Sequence, residues 1–158
     1  MADGAKTPDA PVDLGALGES LGFLLRLAQL RAFEGFFEAM GDHDVRPGEV
    51  SVLMLIARNP GLRQGVLARH LSIKRAHMAK MVAQMERSGW IDRRVPDDDR
   101  RAVELSLTEA GRKYLSQVQP AFDTHEADAA RPLSPQDEAT LKRLLKRYLS
   151  LPNGKDPT

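Results

Sequence analysis

Basic side chains are concentrated in two short stretches in the middle of the chain. The first stretch supplies Lys74, Arg75, His77 and Lys80. The second supplies Arg93, Arg94, Arg100 and Arg101. Long cations of this kind can contact phosphate oxygens or the acceptor edges of guanine, and a histidine can donate to a base. The chemistry that these residues favour is the binding of a polyanion.

The net charge of +1 conceals an uneven distribution along the chain. Residues 58–101 carry eleven Lys and Arg against five Asp and Glu, or +6, whereas residues 1–57 carry four against nine, or −5. Residues 102–158 are balanced at eight against eight. Binding of phosphates needs local rather than global positive charge, so the middle segment is a candidate nucleic-acid-binding module. On charge alone, a solvated helix face explains the pattern equally well.

Residues that could catalyse a reaction or bind a metal do not form a known pattern in this sequence. The four histidines lack metal-ligand spacing, and there is no phosphate loop, dinucleotide fingerprint or nucleophile elbow. Asp97, Asp98 and Asp99 are more typical of a turn than of a metal site. The absence of cysteine excludes disulfides, thiolate metal sites and thiol redox switches. We expect no enzymatic activity, no metal and no cofactor.

Hydrophobic spacing predicts the elements that position the basic residues. Apolar residues over 14–40 have helical spacing and predict one long helix of about seven turns. Pro47 fits the first position of a second helix, which Asn59-Pro60-Gly61 ends. Two further helices are predicted over 63–70 and 73–88, with a very short connection between them. A short helix followed closely by a longer basic one is typical of a helix-turn-helix, whose second helix can enter a DNA groove.

The second group of arginines falls in a predicted β-hairpin. Gly89 is placed to end the preceding helix, and Trp90–Val95 and Ala102–Leu107 are β-prone segments. The loop between them is polar and rich in turn-forming residues. The hairpin is therefore expected to be the wing of a winged helix-turn-helix.

Two helices are predicted at the C-terminal end. Thr108 can cap the first of them, in which Pro120 predicts a kink or break. The last helix is expected to start at Ser134-Pro135 and carries an apolar stripe at helical spacing. The first and last helices have wider apolar faces than a small core can cover, so we expect two copies of the chain to pair through them.

These elements predict a mainly α fold with a small β-hairpin wing: a winged helix-turn-helix and a helical dimerisation region. Residues 1–12 are assigned to a disordered arm, 13–45 and 109–150 to the dimerisation region, 46–108 to the DNA-binding domain and 151–158 to a loose tail. The sequence contains neither an apolar run long enough for a membrane span nor a secretory signal. We expect a cytoplasmic protein.

Four segments resemble the MarR family of transcriptional regulators. They are Gln64 to Ile73 (QGVLARHLSI), Gln84 to Trp90 (QMERSGW), Asp97 to Arg101 (DDDRR) and Leu105 to Gly111 (LSLTEAG). The resemblance runs from Leu14 to Leu149, and the wing-to-helix segment is its most specific part. It implies a homodimer that binds double-stranded DNA at a pseudo-palindromic operator. It also implies a repressor that is released by a small molecule or an oxidant, and the lack of cysteine argues against a thiol oxidant sensor.

The resemblance further implies roles for particular residues. Asp99 would steady Arg101, whose side chain would enter the minor groove. Effectors of the family lodge between the dimerisation helices and the winged domain, where this chain has Phe33, Phe36, Phe37, Met40, His43 and Arg46. Aromatic rings there could enclose a planar ligand while a cation meets its carboxylate, but the same residues could equally be ordinary core and linker.

The nature of the effector and the strength of two helix starts are further expectations. The stretches over 45–49 and 59–61 resemble regulators of aromatic-acid catabolism, some of which respond to the free acid and others to its coenzyme A thioester. An aromatic carboxylate or an acyl-CoA is therefore the expected effector. Arg63 and Lys74 stand where the family often has a capping Ser, Thr or Asp, so those helix starts are expected to be less firmly capped.

Two other functions are compatible with a winged helix. One is a module that binds protein, which the basic recognition helix disfavours. The other is a broad, nucleoid-type DNA binder, which would show little preference between an operator and random DNA.

Overall fold

The computed structural model describes residues 12–41, 43, 45–97 and 99–151. The predicted arm and tail lie outside the described residues, apart from Val12 and Leu151. The described chain divides into two compact units with a boundary between Glu34 and Gly35. Within the described residues, no helix is long and apolar enough to cross a membrane.

The fold is mainly helical, with one small antiparallel sheet. A 3₁₀ helix spans Gly15–Glu19, and the α-helices are α1 (Leu21–Ala39), α2 (Pro47–Arg58), α3 (Gln64–His70), α4 (Arg75–Arg87), α5 (Glu109–Ala130) and α6 (Pro135–Tyr148). The strands are β1 (Leu62–Arg63), β2 (Ile91–Arg94) and β3 (Glu104–Leu107), in the order β1-β3-β2. This architecture confirms the predicted fold class.

In the first unit, the prediction of one continuous helix from Leu14 onwards is wrong. Gly15 has a φ of 48°, and the Asp13 carboxylate accepts a hydrogen bond from its N–H at 2.9 Å. Ser20 is extended, with a ψ of 113°, so the 3₁₀ helix ends there and α1 begins at Leu21. With 19 residues, α1 makes about five turns rather than seven.

The second unit contains two clusters of buried apolar side chains. The larger joins α2, α3, α4 and the sheet, and includes Leu53, Ile56, Leu67, Met78, Val82, Met85, Ile91 and Leu105. The smaller joins the end of α1 to α2 and α5, and consists of Phe36, Met40, Val45, Val50 and Val118. The larger cluster fixes the helices and strands that carry the basic residues.

The sheet has one more strand than the predicted hairpin. Leu62 pairs with Leu105 and Arg63 with Glu104, which adds β1 to the outer edge of β3. On the other edge of β3, Ile91 pairs with Leu107 and Arg94 with Glu104. A strand of two residues has too little alternation to be visible in a sequence.

Most predicted helix ends are confirmed, but Pro120 does not break α5. Thr108 Oγ1 accepts the N–H of Gly111 at 2.9 Å, and Ser134 caps α6 with Pro135 in its first turn. Gly89 has a φ of 73°, as expected of a helix C-terminus. The helix α5 runs from Glu109 to Ala130 with Pro120 inside it, and Val118 and His125 on either side of the proline are buried.

Candidate nucleic-acid interface

The helix α4 is amphipathic, with its cations on the solvent side. Met78, Val82 and Met85 are buried in the core. Lys74, Arg75, His77 and Lys80, the four predicted contact residues, are all exposed. Because the apolar side is anchored in the core, these four side chains extend into solvent. The structure thus exposes the whole first predicted group, with Arg75 lining one groove and His77 and Lys80 lining another.

A tight turn connects α3 to α4. Ser72 takes a left-handed backbone with a φ of 52°, and the Ile73 N–H donates to Ala68 O at 2.9 Å. Neither Arg63 nor Lys74 makes a side-chain cap, as expected from their residue types. The two helices therefore have helix-turn-helix connectivity with weakly capped starts.

All four predicted wing arginines are exposed, but they differ in their partners. Arg93 Nη1 lies 3.1 Å from Glu86 Oε2, an ion pair between the wing and α4. Among the described residues, no carboxylate forms an ion pair with the guanidinium of Arg94, Arg100 or Arg101.

Asp99 contacts the wing in a different way from the one expected. Its Oδ1 accepts the backbone N–H of Arg101 at 3.1 Å, and its Oδ2 lies 3.3 Å from Arg63 Nη1. The carboxylate thus holds the backbone of Arg101, whereas its side-chain partner is Arg63. Sequence reasoning missed Arg63 as a partner because the two residues are 36 positions apart.

A groove of about 440 Å³ lies where α3, the start of α4 and the wing meet. Four arginines line it: Arg63, Arg69, Arg75 and Arg101. Gln64 also lines it, and its buried Oε1 has no hydrogen-bond partner among the described residues. Arg75 of α4 and Arg101 of the wing thus line the same groove, and both are positively charged.

A second groove of about 370 Å³ lies on α4 and includes Arg46, His77, Lys80, Met81 and Trp90 in its lining. Trp90 also stacks on Tyr114, with ring centroids 3.9 Å apart and an interplanar angle of 10°. The structure therefore places Arg46, one of the six predicted effector residues, in the same groove as His77 and Lys80 of α4.

The other predicted effector residues have different environments. Phe36 and Met40 are 2% exposed and belong to the smaller core cluster, whereas Phe33 and Phe37 are 39% and 56% exposed. His43 is half-buried. Phe36 packs edge-to-face against Phe37, with ring centroids 5.8 Å apart, and against His125, with ring centroids 5.7 Å apart. Sequence reasoning missed His125 as a neighbour of these rings. The six residues do not line either of the two grooves as a set.

Metal ligands do not cluster in the part of the chain that the structure describes. No group of three or more His, Cys, Asp or Glu side chains there could hold a metal ion.

Comparison with known proteins identifies similar chains. The MarR family model matches residues 45–103. A putative transcriptional regulatory protein for the hcr operon of Thauera aromatica is 36% identical over 134 residues, covering 84% of this chain and 81% of the relative. The Escherichia coli homoprotocatechuate degradative operon repressor is 23% identical over 137 residues, covering 87% of this chain and 93% of the relative. The transcriptional repressor CouR, solved on a 23-mer DNA duplex, is 32% identical with a TM-score of 0.82, covering 89% of this chain and 99% of that one.

Proposed function

The chain belongs to the MarR family of DNA-binding transcriptional regulators, and we propose that it is a homodimeric repressor which a small aromatic carboxylate, or its acyl-CoA thioester, releases from its operator. Members of this family regulate transcription by binding DNA and are not enzymes. The observation that carries the proposal is the exposure of the basic side chains of α4 and the wing, on a helix-turn-helix whose apolar side is buried.

In this proposal, α4 enters the major groove and the wing reaches the minor groove. Lys74, Arg75, His77 and Lys80 would contact phosphates and base edges. Arg94, Arg100 and Arg101 would contact the backbone and the narrow minor groove, where arginine is favoured. Arg93 would contribute through its ion pair with Glu86, which fixes the base of the wing against α4.

Exposed apolar residues support a second copy as a partner. In the first unit Leu17, Leu21 and Leu24 are 54%, 56% and 47% exposed. In the second unit, α6 leaves its predicted stripe uncovered, since Leu141, Leu144 and Tyr148 are 46%, 40% and 62% exposed. Apolar surface of this extent is a liability in a monomer, and two-fold pairing is the commonest way to cover it.

An aromatic carboxylate is the effector that the relatives favour. The homoprotocatechuate operon repressor is named for the degradation of an aromatic acid. Phe33, Phe36, Phe37, Met40 and His43 would contact the ring side of such a ligand from α1 and the connection that follows. Its carboxylate would pair with Arg46, which shares a groove with His77 and Lys80, so the ligand would compete with DNA for positive charge.

A mobility-shift titration tests the proposal. The DNA upstream of the chain's own gene is compared with random DNA at one near-physiological salt concentration. We expect the wild type to prefer the upstream DNA by roughly 10³-fold or more. Arg101→Ala is expected to weaken binding by roughly 10-fold to 100-fold, the loss of one specific arginine contact.

The matched control is Arg131→Ala, which removes an exposed arginine from the end of α5. It should bind like the wild type. Equal affinity for upstream and random DNA would instead indicate a broad DNA binder. If selection from random libraries also yielded no bound DNA, the protein-binding alternative would stand.

A further inference from the structure

We infer that Arg63 is a positioning residue, which orients the wing for DNA by holding the carboxylate of Asp99. The inference rests on the proposed DNA-binding role of the wing. It assigns to Arg63 an action through Asp99 and Arg101, rather than a direct contact with DNA.

The first observation is the place of Arg63 in the fold. It belongs to β1 and is the residue immediately before α3, where it makes no side-chain cap. A capping Ser, Thr or Asp at this position would stabilise α3. Arg63 makes no such cap, and its guanidinium instead forms an ion pair with the carboxylate of Asp99.

Arg63 pairs with a residue of the wing loop and not with the residue opposite it in the sheet. In the sheet register, Arg63 lies opposite Glu104, whose carboxylate would be the nearest cross-strand partner. The ion pair instead runs from Arg63 Nη1 to Asp99 Oδ2 in the wing loop, at 3.3 Å. The guanidinium therefore reaches past the strand pair to the loop that carries the exposed arginines.

The third observation is what Asp99 does with its remaining groups. Its Oδ1 accepts the Arg101 N–H at 3.1 Å, and its backbone carbonyl accepts the Ala102 N–H at 2.9 Å. One carboxylate thus connects the start of α3 to the backbone of Arg101. We call the set Arg63, Asp99 and the Arg101 backbone the wing clamp.

The wing clamp faces the groove that also contains Arg69 and Arg75. Without the negative charge of Asp99, Arg63 and Arg101 would lie among like charges and repel each other. The clamp holds the loop against the start of α3, where Arg101 lines the same groove as Arg75 of α4. Pre-organisation of this kind lowers the cost of ordering the loop on the DNA.

Asp99→Asn gives the sharpest test because charge and clamp predict opposite results. The amide can still accept the Arg101 N–H, but it loses the ion pair with Arg63. Removing a negative charge beside the DNA would by itself tighten binding. The wing clamp predicts about tenfold weaker operator binding instead. The matched control is Asp97→Asn. It removes the same negative charge two residues away, from a side chain that has no partner among the described residues, and should bind at least as tightly as the wild type.

Arg63→Gln separates a clamp from a phosphate contact. The clamp predicts about tenfold weaker binding with an unchanged dependence of log Kd on log salt, because no counterion-releasing contact is lost. Arg63→Gln combined with Asp99→Asn should be no weaker than either single variant. Losses that add in the double variant, or a salt slope lower by about one, would show that Arg63 contacts phosphate and overturn the inference.

Limited trypsin digestion without DNA keeps the inference testable if no operator is found. Arg63→Gln leaves the wing sequence intact, so faster cleavage after Arg100 and Arg101 would report a released loop. We expect at least a threefold higher rate with an unchanged midpoint of thermal unfolding. An unchanged cleavage rate would contradict the clamp, whereas failure of wild-type DNA binding would contradict only the proposed function.

Discussion

At the residue scale, a few side chains set where the basic groups stand. Thr108 Oγ1 both accepts the Gly111 N–H and donates to Gly89 O at 2.6 Å, which connects the start of α5 to the end of α4. Gly111 is buried directly against the backbone of Trp90. These contacts join the start of α5 to the connection between α4 and β2, at the base of the wing.

Gly111→Ala is expected to destabilise the fold strongly. A Cβ at position 111 would overlap the carbonyl oxygen of Trp90 and lie 2.8 Å from its carbonyl carbon. Since backbone atoms must move to relieve this overlap, we expect a loss of about 3 kcal/mol in the free energy of unfolding, measured by urea denaturation.

Gly65→Ala is the matched control. A Cβ at that position has nothing within 4 Å, and Gly65 lies inside α3. The same change should therefore stabilise the fold, by up to about 1 kcal/mol. Equal effects of the two substitutions would contradict the close approach of α5 to Trp90.

At the element scale, the sequence predicted faces better than boundaries. The cations of α4 and the apolar stripe of α6 followed directly from helical spacing, and Ser134-Pro135 marked the start of α6. The same spacing predicted a continuous helix over 14–40, because apolar periodicity continues across the break at Ser20. Periodicity reports which side of an element is buried and says little about whether the backbone is continuous.

Contacts between distant residues were beyond what spacing could predict. The strand β1 has only two residues, and its pairing with β3 depends on the tertiary fold. The pairing of Asp99 with Arg63 likewise depends on that added strand, so a local interpretation assigned Asp99 to Arg101 alone. The grouping of Arg46 with His77 and Lys80 also arises only once α2 and α4 have packed.

The apolar face of α6 makes a prediction about assembly. Leu141→Lys combined with Leu144→Lys places two charges on the exposed stripe. If that stripe is covered in a homodimer, the dimer dissociation constant should rise by at least about 100-fold, since each buried leucine contributes about 1.5 kcal/mol or more. Sedimentation equilibrium measures this directly.

The control for this face is Arg143→Ala, on the polar side of α6. It should leave the association unchanged. If the double lysine variant remains as strongly associated as the control, then α6 is not part of the interface and the apolar stripe needs another partner.

At the scale of the whole molecule, three features combine into one mechanism. The core of the second unit holds α4 and the wing with their cations outward. The uncovered apolar residues of both units support pairing with a second copy. A two-fold pair of such surfaces would match two half-sites about one helical turn apart on a pseudo-palindromic operator.

In the proposed mechanism, two copies bind one operator through α4 and the wing. Hydroxyl-radical footprinting of the wild type and Arg101→Ala on the preferred upstream DNA tests this arrangement. We expect two protected half-sites, about 10 base pairs apart and related by two-fold symmetry, with flanking minor-groove protection that Arg101→Ala loses. Protection of a single half-site, or uniform protection along the duplex, would contradict it.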